Sequence, residues 1–326
     1  MPENKNASVG TMEEVFSNGP SLLDPKTGKF NVNRLRTNAT LRHEEWKQLD
    51  DAVLDVARAK LVGITDIQAA GLTVPLGGLG VTETQYETQA DMSAATADMD
   101  AETPGEEDRV TYSIVSLPVP IVHKGFRIGL RQLEASRTRG AALDVTQADV
   151  SARKVAEKLE DMLFNGDTTI NINGNTISGY TTHGSRNTVS GGDWGTIANI
   201  WANVQSAVQA NEADYFPGPF VLYIASTQFG QMRAIYTDGT GQSAMERVMK
   251  SFPISAIKAA DSLTDEAVLV QMDRSTVDLA VGQDITTIEW STRGGMSMHF
   301  KVMAAMVPRL KADANGNMGL CHISSI

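Results

Sequence analysis

The chain has 326 residues, 41% of them apolar and 21% charged, with 28 Lys and Arg against 39 Asp and Glu and a formal charge of −11. Such a length and balance suit one large or two smaller units with a substantial core, and they exclude wholesale disorder. The acid surplus speaks against a sequence-reading nucleic-acid binder, because Lys and Arg supply most phosphate contacts. The single cysteine, Cys321, leaves no intramolecular disulfide framework and no cysteine-based zinc site. The N-terminus, Met1-Pro-Glu-Asn-Lys-Asn-Ala-Ser, is polar and leads into no apolar run, so it does not read as a secretory signal. No stretch approaches the roughly 20 apolar residues needed to cross a bilayer.

Residues 1–39 are polar and punctuated by Asn18-Gly19-Pro20 and Asp24-Pro25, which reads as an extended arm or as a tail without structure. From Thr40, a candidate N-cap, Trp46, Leu49, Val53, Val56 and Ala57 recur at helical spacing, and Gly63 is the expected stop. Residues 72–120 open on Pro75, Gly77, Gly78 and Gly80, carry a run of Asp and Glu, resume strand alternation at Val110, Tyr112 and Ile114, and close at Leu117-Pro-Val-Pro-Ile121. The prolines forbid a central strand. This is expected to be a long acidic two-stranded excursion that buries too little apolar surface to stand alone.

Ala148, Ala152, Val155, Ala156, Leu159, Met162 and Leu163 form an uninterrupted helical stripe, with Asp144 as candidate cap and Asn165-Gly166 as stop. Asn173-Gly174, between Ile170-Asn-Ile172 and Asn175-Thr-Ile177, is a hairpin signal. A second unit follows: a helix through Ile197, Ile200, Trp201, Val204 and Val208, a buried strand Phe220–Ile224, short helices at Thr227–Tyr236 and Ala244–Met249, and strands at Ile254–Ile257 and Ala267–Gln271. Alternation then returns through Val277, Leu279, Val281, Ile285, Ile288, Met296, Met298, Phe300 and Val302, and Asn315-Gly316 turns into a terminal strand. No segment repeats at a fixed period, so the expected class is mixed α+β in two units with two projecting arms.

Chemistry is nearly absent. There is no nucleophile elbow, phosphate loop or zinc-protease helix. His43, His123, His183, His299 and His322 are scattered without ligand spacing, so no metal site and no catalytic residue is assigned. Gly239–Ala244 matches the loose dinucleotide pattern G-x-G-x-x-A, but a helix and not a strand is expected before it. Counted from Asp98, an EF-hand would need glycine and glutamate where Thr103 and Arg109 stand. Cys321 has no setting that would make it reactive and reads as structural. No cofactor is implied.

The order of elements resembles the Hong Kong 97 fold of tailed-bacteriophage major capsid proteins, shared with encapsulin shells. The resemblance is sharpest at Leu117-Pro-Val-Pro-Ile-Val-His-Lys-Gly-Phe126 and Arg131-Gln-Leu-Glu-Ala-Ser-Arg137. It continues through Leu143-Asp144, Ala152-Arg-Lys-Val-Ala156, Glu160-Asp-Met-Leu-Phe-Asn-Gly166 and Val307-Pro-Arg-Leu310. It implies an N-terminal arm (1–39), an N-terminal helix region (40–71), an extended loop lying over a neighbouring subunit (72–120), a peripheral domain with a spine helix (121–191 and 276–326) and an axial domain (192–275). The axial loop would be Asp238, Gly239, Thr240, Gly241 and Gln242. Tyr86, Tyr112, Lys124, Arg131, Glu134 and Arg137 are candidate inter-subunit contacts, the last four with an ordinary solvated surface as the equal alternative.

The implied function is structural and non-enzymatic: pentamers and hexamers of the chain forming an icosahedral phage head around double-stranded DNA, located in the virion and assembled in the host cytoplasm. DNA would be held without sequence-specific binding, and the acid surplus fits a lining that repels it. With no long helical pro-region before Thr40, scaffolding is expected from a separate protein, alongside a portal and a decoration protein; no membrane is involved. The alternative is an encapsulin-type compartment around a cargo enzyme. A hydrolase using Asp98 and Glu102 is a third reading, weakened because those carboxylates lie in a stretch of low hydrophobicity. Some phages weld subunits through an extended-loop lysine and an asparagine, but Leu72–Val122 contains no lysine. Boiled, mature particles are therefore expected to run as one band near 35 kDa on a denaturing gel; high-mass ladders would refute this.

Overall fold

The apolar residues of the first helical stretch fall on one side, and helix α1 (His43–Lys60) buries Leu49, Val53 and Ala57 there. The computed structural model describes residues 43–89, 109–110, 112–139, 145–235, 241–292, 297–313 and 315–326, with positions 92, 95, 97 and 99. The expected arm, the caps at Thr40 and Asp144, and Asp98, Asp100 and Glu102 lie outside these residues. Gly63 does not stop a helix, as its type suggested, but opens the next, α2 (Gly63–Ala69). The cause is 97 residues away: the Glu160 carboxylate accepts hydrogen bonds from the amides of Gly63 at 2.6 Å and Val62 at 3.1 Å. A carboxylate at a helix N-terminus satisfies orphan amides and meets the positive end of the helix dipole. A Cβ on residue 63 would stand 2.7 Å from Leu163 Cδ2 and 3.3 Å from Glu160 Oε1, so a larger residue would have to push the buried Leu163 side chain aside.

Strand β1 (Thr73–Pro75) pairs in parallel with Leu279–Val281 before the chain leaves for the excursion. There β2 (Glu83–Gln89) and β3 (Tyr112–Pro118) pair antiparallel, Glu83 opposite Pro118 and Gln89 opposite Tyr112. Strand β4 (Ile121–Gly129) runs directly into α3 (Leu130–Arg139). The long helix is α4 (Thr146–Phe164), which ends at Asn165-Gly166 where the stop was expected. Strands β5 (Asp167–Ile172) and β6 (Asn175–Ile177) meet through Asn173 and Gly174, both at positive φ (53° and 88°), as a primed hairpin turn requires.

Next come β7 (Asn187–Ser190), α5 (Ile197–Ala213), β8 (Phe220–Ile224), α6 (Ser226–Gln231), α7 (Ala244–Ser251), β9 (Ile254–Ala259) and β10 (Glu266–Gln271). Helix α6 stops short of the expected Tyr236 because the carbonyls of Met232 and Ala234 accept from the amides of Met245 and Ala244 at the start of α7. The chain closes with β11 (Val277–Thr292), β12 (Ser297–Leu310) and β13 (Leu320–Ser324).

Beside the β2-β3 and β5-β6 hairpins, the described strands form two larger sheets, a four-stranded one ordered β1-β11-β12-β4 and a five-stranded one ordered β7-β13-β10-β8-β9. Strands β7 and β13, both expected among the peripheral strands, lie instead in one sheet with β10, β8 and β9, β13 between β7 and β10. Leu320 and His322 on one side and Cys321 and Ile323 on the other are all buried, as in a strand covered on both faces. Phe220, Leu222, Ile224, Leu269, Cys321 and Ile323 face a core shared with α5 and α7. Tyr223, Val268, Val270 and Leu320 face a larger core with α1, α2, α4 and the four-stranded sheet.

Glu160 gives this larger core a pH dependence. Burial pushes its carboxyl up from 4.5 to about 7, against the downward pull of the amides of Gly63, Ile64 and Val62. The folded chain thus keeps a proton there that the unfolded chain releases, so this contribution is present at low pH and is lost as pH rises through about 7. The shift corresponds to roughly 3 kcal/mol. The difference between the pH–stability curves of wild type and Glu160→Gln is expected to slope over pH 5–7; two parallel curves would refute it.

Candidate functional site

The β2–β3 hairpin is divided by strand alternation into two unlike faces. Thr84 and Leu117 are buried against the body, with Tyr86 and Val115 half-buried beside them, while Glu87, Tyr112 and Ile114 on the other face are exposed. Tyr112 is 59% and Ile114 62% exposed, large values for such side chains on a protein surface.

The inner face is rooted by a buried charge cluster. Arg309 grips Asp278 with both edges of a fork, Nε to Oδ1 at 2.6 Å and Nη2 to Oδ2 at 2.7 Å. Lys311 Nζ approaches Asp278 Oδ2 at 2.6 Å, so one buried carboxylate serves two cations. The remaining Arg309 nitrogen reaches out to the hairpin, donating to Gln85 O at 3.3 Å and Thr84 Oγ1 at 3.4 Å. The Tyr86 hydroxyl donates to Leu310 O at 2.9 Å, and the Val119 amide to Thr82 O at 2.9 Å. Burial raises the Tyr86 phenol above its ordinary value, so it stays a donor. Charges of this kind are held only when paired and hydrogen-bonded, which this cluster achieves.

Tyr86, a candidate inter-subunit contact, is thus committed within its own chain, because its register opposite Val115 turns it inward. Tyr112 points outward on the opposite face. Lys124 is exposed on β4, and Arg131 and Glu134 are exposed on α3; Arg137 lies on α3 with its side chain outside the described residues. Asp238, Gly239 and Thr240 lie outside them as well, while Gly241 and Gln242 lead into Ser243, whose Oγ caps α7 by accepting from Glu246 N. Glycines 239 and 241 therefore precede an ordinary serine cap.

Sequence reasoning passed over Arg309, Asp278, Lys311 and Glu160. The signal was present: Val307-Pro-Arg-Leu310 and Val277-Asp-Leu279 each set one charge in an apolar strand, and a charge is seldom buried without a partner. Cys321 is buried, and burial pushes its thiol up to about 12, away from reactivity. A cleft of about 480 Å³ is lined by Glu157, Glu160, Asp161 and Asp261. All four carboxylates are engaged: Glu160 by the α2 amides, Asp161 by Lys158 and Asn165, Glu157 by Lys154, and Asp261 by the Ser226 hydroxyl. Among the described residues no group of three or more His, Cys, Asp or Glu could hold a metal ion, and no helix is long and apolar enough to cross a membrane.

Arg309→Met leaves Asp278 with one cation and strips the hairpin of its bridge, at a cost of about 3 kcal/mol or more. Tyr86→Phe removes one hydrogen bond, at about 1 kcal/mol. Hydrogen exchange is expected to quicken across Glu83–Gln89 in Tyr86→Phe while Phe220–Ile224 stays unchanged; equal effects in both strands would show that the hydroxyl has no local role.

The whole architecture is similar to that of known shell proteins. The type 1 encapsulin shell protein EncA of Myxococcus xanthus is 28% identical over 274 residues, covering 83% of this chain and 90% of that protein. The diheme-cytochrome-encapsulin shell fusion protein of Kuenenia stuttgartiensis is 25% identical over 298 residues, 91% of this chain and 78% of its own. Among solved structures, the virus-like particle from Pyrococcus furiosus superposes with a TM-score of 0.62 at 17% identity, covering 86% of this chain and all of the other. The capsid of Myoviridae phage XM1 does so with a TM-score of 0.61 at 14% identity, covering 81% and 92%. The fold is that of the Hong Kong 97 capsid proteins, in the α+β class. A family model described as a family of unknown function, DUF6260, matches residues 35–323, and the chain belongs to that family.

Proposed function

We infer that the chain is the repeating, non-enzymatic subunit of a closed icosahedral shell, built as pentamers and hexamers of itself into the head of a tailed bacteriophage around double-stranded DNA. The observation that carries the shell reading is the hairpin: rooted on one face, it leaves Tyr112 and Ile114 uncovered in a fold that shell proteins share. In this reading residues 72–120 lie over a neighbour, 121–191 and 276–326 apart from β7 and β13 form the peripheral domain, 192–275 with those two strands the axial domain, and 238–242 the axial loop. The net charge of −11 supports a lining that contains DNA without binding it. Scaffolding, portal and decoration proteins are the partners implied, and the virion is the location, with assembly in the bacterial cytoplasm.

A second reading, an encapsulin-type compartment around a cargo enzyme, is favoured by one observation. The two curated relatives at 28% and 25% identity are both encapsulin shell proteins.

Electron microscopy of particles from producing cells, followed by nuclease treatment, decides between them. Closed shells with nuclease-protected double-stranded DNA are expected. Shells holding a protein cargo and no DNA would replace the phage reading with the compartment, and a chain that stays at 35 kDa under all conditions would end both.

A further inference from the structure

The two faces of the four-stranded sheet differ in kind. Phe126 and Ile128 of β4 and Met298, Phe300 and Val302 of β12 turn toward the core, where Phe126 stacks on Phe300 with centroids 5.0 Å apart. On the other face Arg127, His299 and Trp290 stand in one cross-strand row, and Lys301 is in the adjacent outward row. Trp290 stacks on His299 at 5.6 Å and lies 5.7 Å from Lys301 Nζ. Trp290 is 38% exposed and Arg127 is exposed. None of the residues in the outward rows between Ser297 and Met303 is acidic, in a chain whose net charge is −11.

The excursion has the opposite character. Residues 72–120 hold nine Asp and Glu against the single base Arg109, whereas 121–139 hold five Lys and Arg against the single acid Glu134. On the hairpin, period-two alternation puts Glu83 and Glu87 on the face that exposes Tyr112 and Ile114. The inner face is spent on its own body at Arg309 and Leu310, so whatever covers the outer face must come from elsewhere.

We propose that the cationic–aromatic sheet face of one copy is the seat for the outer hairpin face of a second copy. Glu83 and Glu87 meet Arg127 and Lys301, and Tyr112 and Ile114 cover Trp290. The proposal rests on the shell reading and adds to it the address on the neighbour and the chemistry of the contact. Two matches support it together: opposite charge on the two surfaces, and large uncovered apolar side chains on both. Cross-chain pairing of opposite charges sets register and excludes wrong partners, and salt weakens it where it stays near solvent.

Charge exchange in the full-length chain tests the seat. R127E/K301E and E83K/E87K are each expected to lower the fraction of subunits in particles at least tenfold. All four substitutions in one chain are expected to restore that fraction to within about threefold of wild type. Circular dichroism and thermal melts of the unassembled chains confirm that each variant folds. Wild-type yield from R127E/K301E, or no recovery in the combined chain, would overturn the proposal. So would normal shells of R127E/K301E that have lost protected nucleic acid, which would assign the face to the contents. If the wild type forms no shells, the shell reading fails separately. The seat is then read by carbodiimide coupling in a mixture of ¹⁴N- and ¹⁵N-labelled chains, where a mixed-isotope link from Lys301 to Glu83 or Glu87 supports it and its absence overturns it.

Discussion

Helix α4 presents a side that water cannot be allowed to touch, and the rest of the molecule is disposed to cover it. Ala148, Ala152, Val155, Ala156, Leu159, Met162, Leu163 and Phe164 are all buried along this one helix. Helix α1 and strands β4 and β12 of the four-stranded sheet pack against it, and Phe164 at its end reaches the five-stranded sheet. Phe164 meets Tyr180 and Tyr223 edge-on at 5.4 and 5.3 Å, which locks the helix end to a strand of the second sheet. The segment after β6 completes the arrangement: amides of Tyr180 and Thr181 donate to the carbonyls of Leu163 and Phe164, which the helix itself cannot satisfy.

Buried and half-buried carboxyl groups are held in three distinct ways around this core. Asp278 is held between Arg309 and Lys311. Glu160 is held by backbone amides, with no cation against it in the hydrogen bonds that orient it. Asp66 accepts from the Tyr223 hydroxyl at 2.7 Å and pairs with Lys258. Each solution ties elements far apart in sequence, α2 to α4, α2 to β8 and β9, and β2 to β12. Such polar ties specify geometry where apolar packing alone would tolerate sliding.

What was legible in the sequence was periodic or local. The α4 stripe, the Asn173-Gly174 turn and the apolar run of β8 each carry their cause within a few residues. Misreadings arose where the cause lay far away in the chain. Gly63 begins a helix because of Glu160, α6 is short because the start of α7 takes its carbonyls, and β13 joins the second sheet because both its faces need cover. The candidate site followed the same rule. Alternation alone could show that Tyr112 and Ile114 share a face, but which face meets the body depends on the pairing of Tyr86 with Val115 across the intervening tip. Arg309 was visible only as an oddity, a charge in an apolar strand, until the fold brought Asp278 opposite it.

Strand β12 spans 14 residues, about 48 Å of extended chain, and its two ends do different things. Near Arg309 it holds the root of the molecule's own hairpin, and near His299 it carries the aromatic and cationic face. Midway, its partner β11 slips register twice, between Val281 and Gln283 and between Gln283 and Thr286. A bulge bends and coils the ladder it interrupts. The angle between the hairpin root and the cationic–aromatic face is therefore set within one strand pair, by a few backbone atoms at Gly282–Thr286. In the proposed shell one such bend serves five- and six-membered rings alike, so what distinguishes the two has to lie outside this strand pair.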